Sequence, residues 1–326
     1  MTDPQPPPPP AAPPPPPLLA EVGRDYAIRG HGISKAWGSN RVLDGASFAV
    51  GRGVTGLLGS NGAGKTTLFG MILGLHRADA GTLEVLGLDP SDAGPEIRSR
   101  IGYAPEHHML PPDMRAHDLV RHIAEIHGLS RRIATTRASD ALWQVGLGEE
   151  RFRAIGTMST GQRQRVKLAQ AIAHDPALLL LDEPTDGLDP VQRDDMLELI
   201  RRVGGDFGID VVVSSHLLEE VERICDGVVI LGGGRVVASG SLDSLRGEST
   251  GVVAEVESDA DAVLGQLTSV GWKATADGNR ITVDVMGDVD LTLDAVRDAV
   301  ANVGAPLRSL APRRVSLEQI FLREVG

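Results

Sequence analysis

The sequence predicts an α/β protein: a mostly parallel sheet core with an inserted helical subdomain, followed by a small α+β domain of ferredoxin-like type. Three observations carry this expectation. Residues 54–58, 177–181 and 211–214 are continuous apolar runs separated by helical stretches, as in strands buried on both faces of a parallel sheet. A glycine-rich string, GSNGAGKTT at residues 59–67, joins the first run to an apolar helix over residues 68–75. Beyond residue 251 the signals follow the order β-α-β-β-α-β.

Residues 4–17 are almost entirely proline and cannot pack a core, so residues 1–25 read as an extended, solvated tail, its proline tract roughly 40 Å long as polyproline II. Ordered structure is expected from Tyr26, and strand and helix signals then alternate to about Leu242, giving a first domain over 26–246. Within it, residues 107–158 turn helical and polar, with apolar residues at helical spacing over 118–127 and 138–145. That block is the expected inserted subdomain. The string GESTG at 247–251 marks a linker. The second domain, 251–326, is expected to run strand 252–256, helix 260–270, strand 272–276, a turn at Asp277-Gly278-Asn279 and strand 280–285. A helix over 291–303, a short strand near 307–310 and a helix over 317–325 complete it. This domain lacks a cluster of catalytic-looking residues, so dimerisation or regulation is its expected role.

Composition narrows the function. A length of 326 residues allows two domains, and a net charge of −12 argues against a nucleic-acid-binding surface. No apolar run approaches the roughly 20 residues of a membrane-spanning helix. The N-terminus has neither the basic nor the apolar region of a signal peptide, and the single cysteine, Cys225, suits a reducing compartment. A cytoplasmic protein is expected. Cys225 lies among Val221, Ile224 and Val228 and reads as a packing residue. His117, His122 and His127 follow His107 and His108, but steps of five residues rotate roughly 140° around a helix. They do not share a face, so a solvated surface is expected in place of a metal site.

GSNGAGKTT fits the phosphate-binding loop G-x-x-x-x-G-K-[ST], with Gly59, Gly64, Lys65 and Thr66 at its fixed positions and Ser60, Asn61, Gly62 and Ala63 between them. Its glycines let consecutive N–H groups turn inward around a phosphate chain, and the helix that follows Thr67, the last residue of the string, adds its positive end. Lys65 is expected to reach the β- and γ-phosphates and Thr66 to ligate Mg²⁺. A second apolar run ends in Asp182 and Glu183. Asp182 is placed to hold Mg²⁺ through water, opposite Thr66. Glu183, where the strand ends, is placed to polarise the water attacking the γ-phosphate. The run VVVSSH, residues 211–216, ends in His216, a candidate for contacting the γ-phosphate and holding that water in line.

With these motifs in place, the chain resembles the nucleotide-binding subunits of ATP-binding-cassette (ABC) transporters over about residues 28–242. GSNGAGKTT, IGYAPE (101–106), MSTGQRQR (158–165), LLLLDEPTDGLDP (178–190) and SSH (214–216) occur in the family's order. The resemblance implies a P-loop NTPase fold, ATP and Mg²⁺ as cofactors, and catalysis by Glu183, His216 and Lys65. MSTGQ looks like the family signature usually written LSGGQ. Its Ser159 and Gly161, with Gln162 beside them, would contact the ATP held by an opposite subunit, so the ATP sites lie between two cassettes in a homodimer or heterodimer. Trp37 stands where the family stacks an aromatic ring on adenine, and Asp189 matches a residue that links the two sites. Glu106 replaces the family's glutamine at a Mg²⁺- and membrane-coupling position, and Thr160 and Met158 depart from the signature's usual glycine and leucine. The pattern resembles subunits that pair with a separate multi-span permease of ABC-2 export type, the subunit lying on the inner face of the membrane. A soluble, non-transport ABC ATPase acting on ribosomes or DNA is the alternative. It is disfavoured by the single cassette and by the absence of a long coiled coil between Lys65 and Ser159. A GTPase is disfavoured because the sequence holds no N-K-x-D string.

Overall fold

The computed structural model describes residues 26–107, 109–245, 251–285 and 289–313. The proline tract, residues 247–250 of the expected linker, His108 and the expected helix over 317–325 lie outside these. The first domain opens with a hairpin, β1 (Ile28–Trp37) and β2 (Asn40–Val50). It continues through β3 (Val54–Gly59), α1 (Lys65–Ile72), β4 (Ala80–Val85), α2 (Gly94–Arg100) and β5 (Ile101–Ala104). The next elements are α3 (Ala116–Ile126), α4 (Arg131–Gln144), α5 (Thr160–Ile172), β6 (Leu178–Asp182) and α6 (Pro190–Gly205). Then come β7 (Asp210–Ser215), α7 (Leu218–Ile224), β8 (Gly227–Gly232), β9 (Arg235–Ser241) and the short α8 (Leu242–Leu245).

Six strands form the main sheet in the order β5-β6-β7-β3-β8-β9, parallel except for the antiparallel pair β8–β9. All residues of β3, β6 and β7 are buried, which explains their unbroken apolar runs. Alternation along β6 divides the domain into two cores. Leu178 and Leu180 face one core with Phe48, Leu68 and Phe69. Leu179 and Leu181 face the other, with Val166, Leu197 and Ile200. The antiparallel sheet β2-β1-β4 has no counterpart in the sequence reading, because only one of its faces is apolar and its strands lack the long apolar runs of the main sheet. The expected helical insertion is realised by α3 and α4, whose buried Leu119, Val120, Ala138 and Leu142 join the second core.

The C-terminal residues form β10 (Gly251–Val256), α9 (Ala260–Ser269), β11 (Ala274–Asp277), β12 (Arg280–Asp284), α10 (Val289–Val303) and β13 (Leu307–Arg313). Their sheet has the order β11-β12-β10-β13, antiparallel throughout, and encloses its own core of Val252, Ala254, Val263, Ile281, Val283 and Val296. This is the ferredoxin-like arrangement expected from the β-α-β-β-α-β order.

Two close approaches tie helices to the sheet and to each other. Gly102 of β5 lies so near α5 that a Cβ there would meet the Ala171 carbonyl at 2.1 Å. Backbone cannot yield as a side chain can, so Gly102→Ala should lower unfolding stability by about 1–3 kcal/mol in denaturant titration. The second approach is a stacked pair of imidazoles, His127 after α3 and His174 after α5, with ring centroids 3.7 Å apart. His174 Nε2 lies 3.2 Å from the Ile101 carbonyl, to which it donates in the neutral form. Burial, reinforced by the neighbouring His127, pushes the His174 imidazole down to about 4. Between pH 6.5 and 4 the unfolded chain takes up a proton at this residue and the folded chain does not. Stability should therefore fall as pH drops through that window, and His174→Phe should flatten the decline measured by urea unfolding at stepped pH.

Candidate functional site

The ends of β3, β6 and β7 converge, because parallel neighbours deliver their C-termini to one edge of the sheet. The glycine-rich loop leaves β3 there. Gly64, at φ 104°, turns the chain into α1, a conformation that favours glycine. The loop feeds directly into the helix: α1 begins at Lys65, three residues before the apolar stretch that signals it in the sequence. Ser60, Asn61 and Thr66 are exposed or half-exposed at this edge, whereas Lys65 is 7% exposed.

Lys65 Nζ donates to the Gly59 carbonyl at 2.7 Å and makes an ion contact of 2.8 Å with Glu183 Oε1. The other carboxylate oxygen, Glu183 Oε2, lies 2.9 Å from His216 Nδ1. The Glu183 backbone is left-handed, φ 47°, a strained setting for a non-glycine residue, and it aims the side chain back across the strand ends. Ser214 supports both acids. Register pairs it with Asp182, its hydroxyl donates to Asp182 Oδ1 at 2.7 Å, and its Oγ accepts from the Glu183 N–H at 2.9 Å. Ser214 was not among the sequence candidates. Its signal was the first serine of SSH, which only the β6–β7 register places beside the acids.

Thr66 Oγ1 donates to Asp182 Oδ2 at 3.2 Å. A hydroxyl and a carboxylate at this spacing form a hard-oxygen pair that fits Mg²⁺, an ion that keeps waters and shares ligands with phosphate. Glu106 stands apart from them. Its carboxylate is 3.2 Å from His107 Nε2, its carbonyl accepts from Lys167 Nζ at 2.8 Å, and among the described residues it has no hydrogen bond to Thr66 or Asp182.

Trp37, at the end of β1, is 48% exposed, with His76 edge-on at 5.0 Å and Lys35 Nζ 5.1 Å from its ring centroid. Such a half-open indole suits stacking on a base. The signature segment forms the start of α5. Ser159 is its N-cap, with Oγ accepting from the Gln162 N–H at 3.2 Å and its own N–H donating to Gln162 Oε1 at 3.1 Å. This capping box fixes the exposed turn and leaves the Ser159 hydroxyl proton available to an acceptor outside the chain. Gly161 is buried, and a Cβ there would lie 2.7 Å from Gln192 Oε1, the end of a flexible side chain on α6 that can move aside. Asp189 caps α6, its Oδ1 accepting from the Gln192 N–H at 2.8 Å. The chain thus gathers Lys65, Thr66, Asp182, Glu183 and His216 in one cluster. Among the described residues, Trp37, Glu106, Ser159, Gln162 and Asp189 form no hydrogen bond or ion pair with that cluster.

The histidine series disperses. His117 lies against Phe152, His127 stacks on His174, and among the described residues no three His, Cys, Asp or Glu side chains group as a metal site. Cys225 is buried, and burial raises its thiol well above the ordinary range.

A strand–loop–helix phosphate cradle, an acidic pair at a neighbouring strand end and an inserted helical subdomain define a P-loop ATPase cassette. Residues 43–186 match the family model for ABC transporters. The daunorubicin resistance ATP-binding protein DrrA3 of Streptomyces coeruleorubidus is 33% identical over 308 residues, spanning 93% of this chain and 96% of that protein. The Nod factor export ATP-binding protein I of Burkholderia orbicola (strain AU 1054) is 32% identical over 297 residues, 90% of this chain and 95% of that one. A solved structure described as the ATP binding subunit of an ABC transporter superposes with a TM-score of 0.59 at 30% identity, over 68% of this chain and 92% of that chain. The chain belongs to the ABC transporter family, as one of its ATP-binding, ATP-hydrolysing subunits.

Lys65 is the cation of the cluster nearest the loop backbone, so Lys65→Ala should weaken ATP binding by at least about tenfold, the scale of one charge-assisted contact. Calorimetric titration of the full chain with ATP measures this.

Proposed function

We propose that this chain hydrolyses ATP to drive a separate multi-span permease in the direction of export, lying on the inner face of the membrane through that permease. The observation that carries the ATPase part is the buried Lys65–Glu183 pair, joined by the exposed His216, beside the Thr66–Asp182 pair. The export direction is supported by relatives named for drug resistance and Nod factor export. Among the described residues no helix is long and apolar enough to cross a membrane, so the membrane path is assigned to another polypeptide. Residues 26–246 form the ATP-binding domain and 251–326 an accessory domain in this reading.

The backbone of residues 59–67 cradles the phosphates while Trp37 stacks on adenine. Thr66 and Asp182 would hold Mg²⁺, which would supply charge neutralisation for the phosphate chain. On ATP binding, Lys65 exchanges Gly59 and Glu183 for phosphate oxygens. That exchange frees Glu183 Oε1 to accept the proton of the attacking water, while His216, donating from Nδ1 to Oε2, keeps the carboxylate aimed. Ser159, Gly161 and Gln162 serve the ATP of a second cassette, and Asp189 lies at the seam between them. The exposed Ser159 cap suits a phosphate because a hydroxyl sits at the positive N-terminal end of α5. Glu106 couples the site to the permease.

Glu183→Gln should bind ATP and hydrolyse it about 10²–10⁴-fold more slowly, the usual range for a lost general base. The same variant, held with Mg-ATP, should recover a multi-span membrane protein from detergent-solubilised membranes of its host, near one-to-one with a cassette dimer. Wild-type turnover would remove Glu183 from its role. Recovery of ribosomes or DNA without a membrane protein would replace transport by the soluble alternative.

A further inference from the structure

Behind the Glu183–His216 pair lies a second carboxylate that the reaction above does not use. Glu220 of α7 is 6% exposed, and its side chain turns inward from the helix surface. Its Oε2 accepts from the Thr185 hydroxyl at 3.0 Å and from the Ser215 hydroxyl at 2.6 Å. Its Oε1 lies 3.5 Å from Arg193 Nε of α6. Thr185 follows Glu183 by two residues and is 4% exposed. Ser215 immediately precedes His216, is 1% exposed, and its Oγ also accepts from the Leu217 N–H at 3.0 Å. One carboxylate therefore holds the chain on the C-terminal side of Glu183 and, through Ser215, the turn that carries His216.

A buried carboxylate is costly to desolvate and persists only where several donors converge on it. Packing alone would be served better by an apolar side chain at this place. What a carboxylate adds is reach to two hydroxyls on different segments, with Arg193 as counter-charge. We infer that Glu220 is a positioning residue for ATP hydrolysis: it clasps the Glu183 loop and the His216 turn so that the two side chains meet. The inference rests on the proposed roles of Glu183 and His216. Because Glu220 touches neither the phosphate loop nor Thr66, its influence falls on turnover and not on nucleotide binding.

The test is steady-state ATPase kinetics of the full chain, paired with ADP affinity by calorimetry. Glu220→Ala should lower kcat by at least about tenfold, as misplaced catalytic groups do, with ADP affinity unchanged within about threefold. Glu220→Gln should recover most of the rate, since its carboxamide oxygen can accept from both hydroxyls. Combined with His216→Ala, Glu220→Ala should cost little more than His216→Ala alone, because the two act through one contact. If Glu220→Ala does not fold, Thr185→Val and Ser215→Ala each remove one hydroxyl and should each slow turnover several-fold. Folded variants with wild-type kcat, a loss in ADP affinity matching the loss in kcat, or a Glu220→Ala loss that multiplies with that of His216→Ala would overturn the inference. Glu183→Gln separates the two levels. If it is inactive while Glu220→Ala is normal, only the clasp fails; if it turns over normally, both readings fail.

Discussion

A lysine ammonium and a glutamate carboxylate, both more than nine-tenths buried and 2.8 Å apart, set the terms for the rest of this structure. Withdrawing either charge from water costs several kcal/mol unless partners replace the hydration. The fold supplies them: the Gly59 carbonyl for Lys65, His216 for Glu183, and Ser214 and Thr66 for the neighbouring Asp182. They come from two segments, the β3 end with its loop and the β7 end, so the pair is tolerable only when β3, β6 and β7 are in register. In the proposed reaction a phosphate chain entering the loop offers Lys65 a stronger counter-charge than Glu183, which would give ligand binding a direct electrostatic line to that carboxylate.

Strain and packing are placed to serve that cluster. Glu183 occupies a left-handed backbone that a strand end would not choose by itself, held by the Ser214 hydroxyl on its N–H and by the Thr185–Glu220 bond two residues on. Helix α5 is fastened to β5 by close backbone approach at Gly102, and the helical insertion to the end of α5 by the His127–His174 stack. Helix α5 also begins with the Ser159–Gln162 capping box, so one rigid helix carries the signature segment at one end and the contact with β5 at the other.

Much of this is legible in the chain itself. The parallel sheet follows from unbroken apolar runs, the phosphate loop from its glycines and Lys65-Thr66, and the acids Asp182 and Glu183 from their position at the end of LLLL. The C-terminal sheet order follows from β-α-β-β-α-β, because antiparallel hairpins and crossovers leave few arrangements. These are properties of local spacing: period, turn residues and motif order are written along the sequence and need no distant partner.

Other features have no local trace. Ser214 is one serine among many until β6–β7 register sets it against Asp182, and Glu220 is one acid in an acidic helix until Thr185 and Ser215 converge on it. The antiparallel sheet β2-β1-β4, the burial of Gly161 against Gln192 and the 3.7 Å stack of His127 on His174 likewise join residues distant in sequence or segments without a periodic signal. The sequence by itself determined the main parallel sheet, the C-terminal unit and the groups expected to meet phosphate. Tertiary structure alone decided which polar groups hold those groups in place, because a hydrogen bond between distant segments depends on register and approach, and neither is encoded in the spacing of any single segment.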